Sequence, residues 1–132
     1  EKQHEEIEEK MKRLCRHQYI QFTERGNTAI FIAMHIAKTI HPKPTILIPD
    51  QGGWFSYKKF PKFFGLTIVE VKTDYGVIDL DDLKKKVENA SAFIFTSFAG
   101  YFAEQPLKEI KDICNFNYPL LIQKMLLIFM IF

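Results

Sequence analysis

Hydrophobic and polar positions along this chain fall into blocks with two different periods. Residues 2 to about 17 are mostly charged, and Ile7, Met11 and Leu14 recur at helical spacing. That single stripe predicts an amphipathic helix. The stretch "QYIQF", 18–22, has the length of a short strand. Residues 27–40 are apolar nearly all round, which predicts a buried helix, and His41-Pro42-Lys43-Pro44 stops it. "TILIP", 45–49, is a continuous apolar run, as expected of a parallel strand covered on both faces. Asp50-Gln51-Gly52-Gly53 is turn sequence. Residues 54–64 are rich in aromatic side chains and read as helical, interrupted by Pro61. "TIVEV", 67–71, is the next strand, and Asp74-Tyr75-Gly76 the turn after it.

Asp79 has the place of an N-cap, with Asp82 three residues on and Leu80, Leu83 and Val87 forming the apolar face of a helix over 79–88. "AFIFTS", 92–97, is a strand. Pro106 opens a helix over 106–115 that buries Ile110 and Ile113, and "PLLIQ", 119–123, is the last strand. From residue 45 onward strands and helices therefore alternate. This predicts an α/β fold, a three-layer αβα sandwich around a mainly parallel sheet.

Ligands of such sheets bind beyond the carboxyl ends of the strands, so the loops there hold the candidate chemistry. Gly26-Asn27-Thr28 follows 18–22 and starts the apolar helix. The unpaired N–H groups and positive dipole end of a helix start suit an anion such as phosphate. Gly26 would let the backbone approach it, and Asn27 and Thr28 would add side-chain donors. A simple N-cap at Asn27 is the alternative. In "DQGGWFSY", 50–57, two glycines precede Trp54, the single tryptophan, whose ring face suits a planar ligand. A core Trp after a tight turn is the alternative there. In "FAGYFAEQP", 98–106, Gly100 allows close approach, and Tyr101 and Gln105 are potential donors. The alternative is a plain strand-to-helix loop.

Composition narrows the function classes. The formal charge is +2, with lysines and acids interspersed rather than massed, so nothing recommends nucleic acid. Cys15 and Cys114 lie in unrelated segments without ligand spacing, the pattern of two reduced thiols in a cytoplasmic protein. From Leu120 to Phe132, 11 of 13 residues are apolar. That is short of the roughly 20 needed for a membrane span and too apolar for an ordinary tail. The expectation is a truncated or frame-altered piece of a longer protein, with no membrane partner.

The order of "YIQFTERGNTAI", "ILIPDQGGWFSY", "TDYGVIDLDDL" and "SFAGYFAEQPLKEIKDIC" resembles the large domain of fold-type I pyridoxal-phosphate enzymes, above all the aminotransferases. The resemblance covers roughly residues 5 to 123. It implies that 1–123 is an incomplete large domain of a PLP-dependent transferase-like fold, and that 124–132 is a separate hydrophobic tail. It further implies pyridoxal 5'-phosphate as cofactor, a small-molecule amino donor and acceptor as partners, and a homodimer when full length. Gly26, Asn27 and Thr28 match the phosphate loop, Trp54 the ring-stacking position, and Ser97 to Tyr101 the loop beside the cofactor. The chain departs from the family at Gln123 and Lys124, where the family has an Asp that pairs with the ring nitrogen. The lysine that bonds to the cofactor lies further on in the family. The expectation is thus an N-terminal fragment of an amino-group-transferring enzyme, without a catalytic residue of its own and inactive as it stands. A non-catalytic α/β domain that binds a phosphorylated ligand, or a purely structural fragment, is the alternative.

Overall fold

The computed structural model describes residues 2–15, 18–96 and 104–117. Helix α1 spans Lys2–Cys15 and α2 spans Gly26–Ile40. Strand β1 (Thr45–Pro49) is followed by the short helix α3 (Phe55–Lys59) and a 3-10 turn, Pro61–Phe64. Next come β2 (Thr67–Val71) and a two-residue hairpin, β3 (Thr73–Asp74) and β4 (Val77–Ile78). Helix α4 (Leu80–Lys86), β5 (Ala90–Phe93) and α5 (Leu107–Asn117) complete the order.

The sheet has the order β2-β1-β5, and β1 pairs parallel with both neighbours. Side chains alternate across β1, so its apolar run serves two cores at once. Ile46 and Ile48 join Ile30 and Met34 of α2, Tyr57 of α3, Leu66 and Ile94. Leu47 joins Val71, Ile78, Leu83 and Val87, Ala90, and Ile110 of α5. The first strand is therefore covered on both faces, as its composition demands. The hairpin closes through Tyr75 and Gly76, both at positive φ, as a turn of type I′ requires.

Several expectations are corrected. Residues 18–22 form no strand, and no strand among the described residues pairs with them. Helix α1 forms as expected, and on its stripe Met11 is half-buried while Ile7 and Leu14 are exposed. Helix α2 is buried on one face only, through Ile30, Ala33, Met34 and Ala37. Its other face leaves Phe31, Ile32, Ile36 and Ile40 exposed, and Phe31 meets the rings of Phe60, Phe63 and Phe64 at its edge. The strand expected at 92–97 lies at 90–93 instead, and only Ile94 continues the ladder, donating to Leu47 O at 3.0 Å. The strand expected at 119–123 and the tail at 124–132 lie outside the described residues.

Asp79 caps α4 as expected, its Oδ1 accepting from the N–H groups of Asp81 and Asp82. The return bond of a capping box is not made. Asp82 Oδ2 instead accepts from Lys72 N at 2.8 Å and from Lys86 Nζ at 2.5 Å, tying α4 to the end of β2. Desolvation raises the Asp82 carboxyl, but these two donors outweigh it, so it sits below the usual range. A depressed folded-state pKa stabilises the fold above the unfolded value and is lost as pH falls through the folded one. Asp82→Asn should therefore cost about 1 kcal/mol at neutral pH. In urea unfolding the gap to the unmodified chain should close on acidification, and a gap independent of pH would contradict this. Cys114 is a free thiol, half-buried against the second core and pushed up to about 11 by burial. Among the described residues no helix is long and apolar enough to cross a membrane.

Candidate functional site

The connections of two adjacent strands leave on opposite faces of the sheet. After β1 the chain enters α3, which packs with α2. After β5 it enters α5, which packs with α4 on the other side. Such a reversal opens a crevice at the carboxyl edge between the two strands.

The turn after β1 is fixed at its start by Asp50. Asp50 N donates to Val71 O at 2.9 Å, and Asp50 Oδ1 accepts from Thr73 Oγ1 at 2.6 Å. Gly52 has φ 77°, a conformation that favours glycine. A Cβ on Gly53 would come within 3.1 Å of the Tyr57 ring, which would have to shift by a few tenths of an ångström to admit it. The turn delivers Trp54 to the cap position of α3, where its carbonyl accepts from Tyr57 N at 2.9 Å. Beside it lies a cavity of about 240 Å³, bordered by Asp50, Gly52, Gly53, Trp54, Tyr57 and Lys58.

Trp54 does not belong to the core; the residue is 48% exposed. Its indole Nε1–H donates to Asn27 Oδ1 at 3.1 Å. The first turn of α2 and the turn after β1, 27 residues apart in sequence, therefore meet at this edge. Asn27 is not the N-cap; Arg25 holds that place, in extended conformation and without a side-chain cap. The first turn carries no acidic residue either. Its leading N–H groups precede any helical carbonyl partner, and the first ladder bond is Ala29 N to Arg25 O at 3.2 Å. A Cβ built on Gly26 meets nothing within 4 Å, so the space beside this residue is open. Asn27 and Thr28 are half-buried.

Gln105 is corrected from a potential ligand donor to a structural tie. Its Oε1 accepts from Ile78 N at 3.0 Å, and its Nε2 donates to Gly76 O at 2.7 Å and to Thr96 O at 3.4 Å. Ser97, Gly100 and Tyr101 lie outside the described residues. Two contacts were invisible in the sequence. One is the Asn27–Trp54 bond. The other is Tyr57 Oη with Thr96 Oγ1 at 3.1 Å, which ties α3 to the chain leaving β5. Burial raises the Tyr57 phenol, so it stays neutral and acts as a strut. Local pattern carries no signal for either pair, because each joins separate elements.

Among the lysines, Lys58 borders the cavity but pairs with Glu70 at 2.7 Å. Lys38 donates to Lys43 O, at the far end of α2. Among the described residues no three His, Cys, Asp or Glu side chains group to hold a metal. The edge thus offers anion donors at a helix start and an exposed ring face, held together by one hydrogen bond. No protein-family model matches this chain, and neither does any curated protein or solved structure.

Proposed function

We propose that the chain is the N-terminal part of the cofactor-binding domain of a pyridoxal-phosphate-dependent, aminotransferase-like enzyme. The observation that carries this reading is the Asn27–Trp54 hydrogen bond, which sets a stacking ring beside an uncapped helix start at the carboxyl edge of a parallel sheet. A planar ring bearing a phosphate needs that pairing: N–H donors for the dianion and an aromatic face for the ring. The resemblance in sequence supplies the reaction class. Bound here, the cofactor would supply an electron sink for amino-group transfer.

The chain's own groups have separate tasks in this reading. The N–H groups of Gly26, Asn27 and Thr28 hold the phosphate, the dipole of α2 favours its charge, and Trp54 orients the ring. Ser97 and Tyr101 belong to the loop beside the cofactor by resemblance alone. The full-length enzyme would be a cytoplasmic homodimer that exchanges an amino group between small-molecule donor and acceptor.

Trp54 is the single tryptophan, so its fluorescence reports on the site directly. Titration with pyridoxine 5'-phosphate, which lacks the aldehyde that would label surface lysines, should quench it saturably. Pyridoxine should bind at least about tenfold more weakly, because it lacks the charge that the helix start recognises. Equal affinity for the two, or quenching that never saturates, would refute the reading. Saturation by inorganic phosphate with no advantage for the ring would favour a domain for some other phosphorylated ligand.

A further inference from the structure

The cavity beside Trp54 has a composition of its own. Its volume is about 240 Å³, and Asp50, Trp54, Phe55, Tyr57 and Lys58 are on its border. Among the described residues that border it, none belongs to α2 or to β5. It lies on the β2 side of the turn, where Lys58 pairs with Glu70 of β2 and Asp50 is tied to Val71 and Thr73. It is therefore distinct from the crevice between β1 and β5 and from the start of α2.

Rings, charge and size together select what fits there. Three of the bordering residues are aromatic, and the rings of Trp54 and Phe55 stand 6.0 Å apart at 49°, a corner rather than a stack. The faces of such rings are electron-rich and attract a cation. Two charged side chains border the cavity, and they are not alike. Lys58 is neutralised by Glu70 at 2.7 Å. The Asp50 carboxylate accepts one hydrogen bond, from Thr73 Oγ1, and has no ion pair among the described residues. The border thus carries one uncompensated negative charge. The start of α3 opposes it only weakly, because five residues sum to a small dipole. The volume is below the roughly 300–1,000 Å³ of pockets for drug-sized ligands, so the fit is to a small group.

We propose that this cavity is a binding site for a small organic ammonium group. Asp50 is its counter-charge, and the rings of Trp54 and Phe55 are its walls. Both rings belong to residues about half exposed, so affinity is lower than in a closed aromatic cage and selection is by charge. Neither a phosphate nor the start of α2 enters into it, so it goes beyond the pyridoxal-phosphate reading.

The probe is choline, compared with the uncharged alcohol that has carbon in place of the choline nitrogen. Trp54 fluorescence reports binding, with sodium chloride holding the ionic strength constant. Choline should change the emission saturably, and the alcohol should bind at least about tenfold more weakly. Asp50→Asn keeps an acceptor for Thr73 and removes the charge. With its fold confirmed by circular dichroism, it should bind choline about fivefold more weakly. Equal binding of choline and the alcohol would overturn the proposal, because a merely apolar cavity treats the two alike. A choline signal that never saturates would overturn it too. Undiminished choline affinity in folded Asp50→Asn would remove Asp50 from the site. The comparison of choline with the alcohol uses the unmodified chain, so it decides the question even if Asp50→Asn does not fold.

Discussion

Gly26→Val is expected to abolish binding of a phosphorylated pyridine and leave the fold intact. A Cβ at this position meets nothing within 4 Å, and Gly26 is not among the residues at positive φ. The fold therefore has no need of glycine here, and a valine at the first position of α2 should move the melting temperature little. The ligand would meet a different surface. In the proposed site, valine methyl groups at the first position of α2 would crowd an anion held by the N–H groups of Gly26, Asn27 and Thr28. Hydrogen bonds to charged groups contribute about 1.5–3 kcal/mol each, so losing two weakens binding by at least about 100-fold. Gly26→Ala should fall between the two. Undiminished affinity in a folded Gly26→Val protein would mean that the anion does not sit at the start of α2.

The second large effect concerns stability. Met34 is fully buried between α2 and β1, among Ile30, Ile46, Ile48, Tyr57 and Leu66. Met34→Ala should cost about 2–5 kcal/mol, a large share of the 5–15 kcal/mol that stabilises a typical domain. Two residues on, Ile36 lies on the outer face and is 38% exposed. Ile36→Lys should cost less than about 1 kcal/mol. Urea midpoints of the two variants measure the contrast. Equal losses would show that the outer face of α2 is packed as tightly as the inner one.

These two positions also show how far the sequence could be read. The helix at 27–40 was legible because its apolar residues leave no room for a strand period. Which face it buries was not, since apolar residues occur on both and only the sheet selects between them. The strands at 45–49 and 67–71 were legible as apolar or alternating runs between turn residues. The strand near 92 was misplaced by its apolar run, because pairing with β1 starts earlier, at Ala90 opposite Thr45. Ala90 and Ser91 carry little strand propensity of their own. Ser91 is held from outside, exchanging hydrogen bonds with the backbone of Lys43.

At the candidate site the glycine pattern singled out two loops that meet at one edge through Asn27 and Trp54, and the roles of single residues within them were harder to see. Asn27 read as a side-chain donor for an anion, with an N-cap as the alternative, yet its oxygen goes to Trp54. Gln105 read as a ligand donor because it follows a glycine loop, yet it satisfies the backbone of the 73–78 hairpin. Trp54 lies 27 residues from Asn27, and the hairpin groups bound by Gln105 lie 27 and 29 residues from it. Sequence spacing has no means of selecting such partners.

The most direct test of the account is a map of which amides feel the ligand. In 15N-labelled protein titrated with pyridoxine 5'-phosphate, the amide resonances of Gly26, Asn27 and Thr28 and the Trp54 indole Nε1–H should shift together with one dissociation constant. Amides at the opposite end of the sheet, such as Lys43 and Thr67, should stay still. Shifts that spare the start of α2, or that move Gly26 without Trp54, would contradict a shared phosphate-and-ring site.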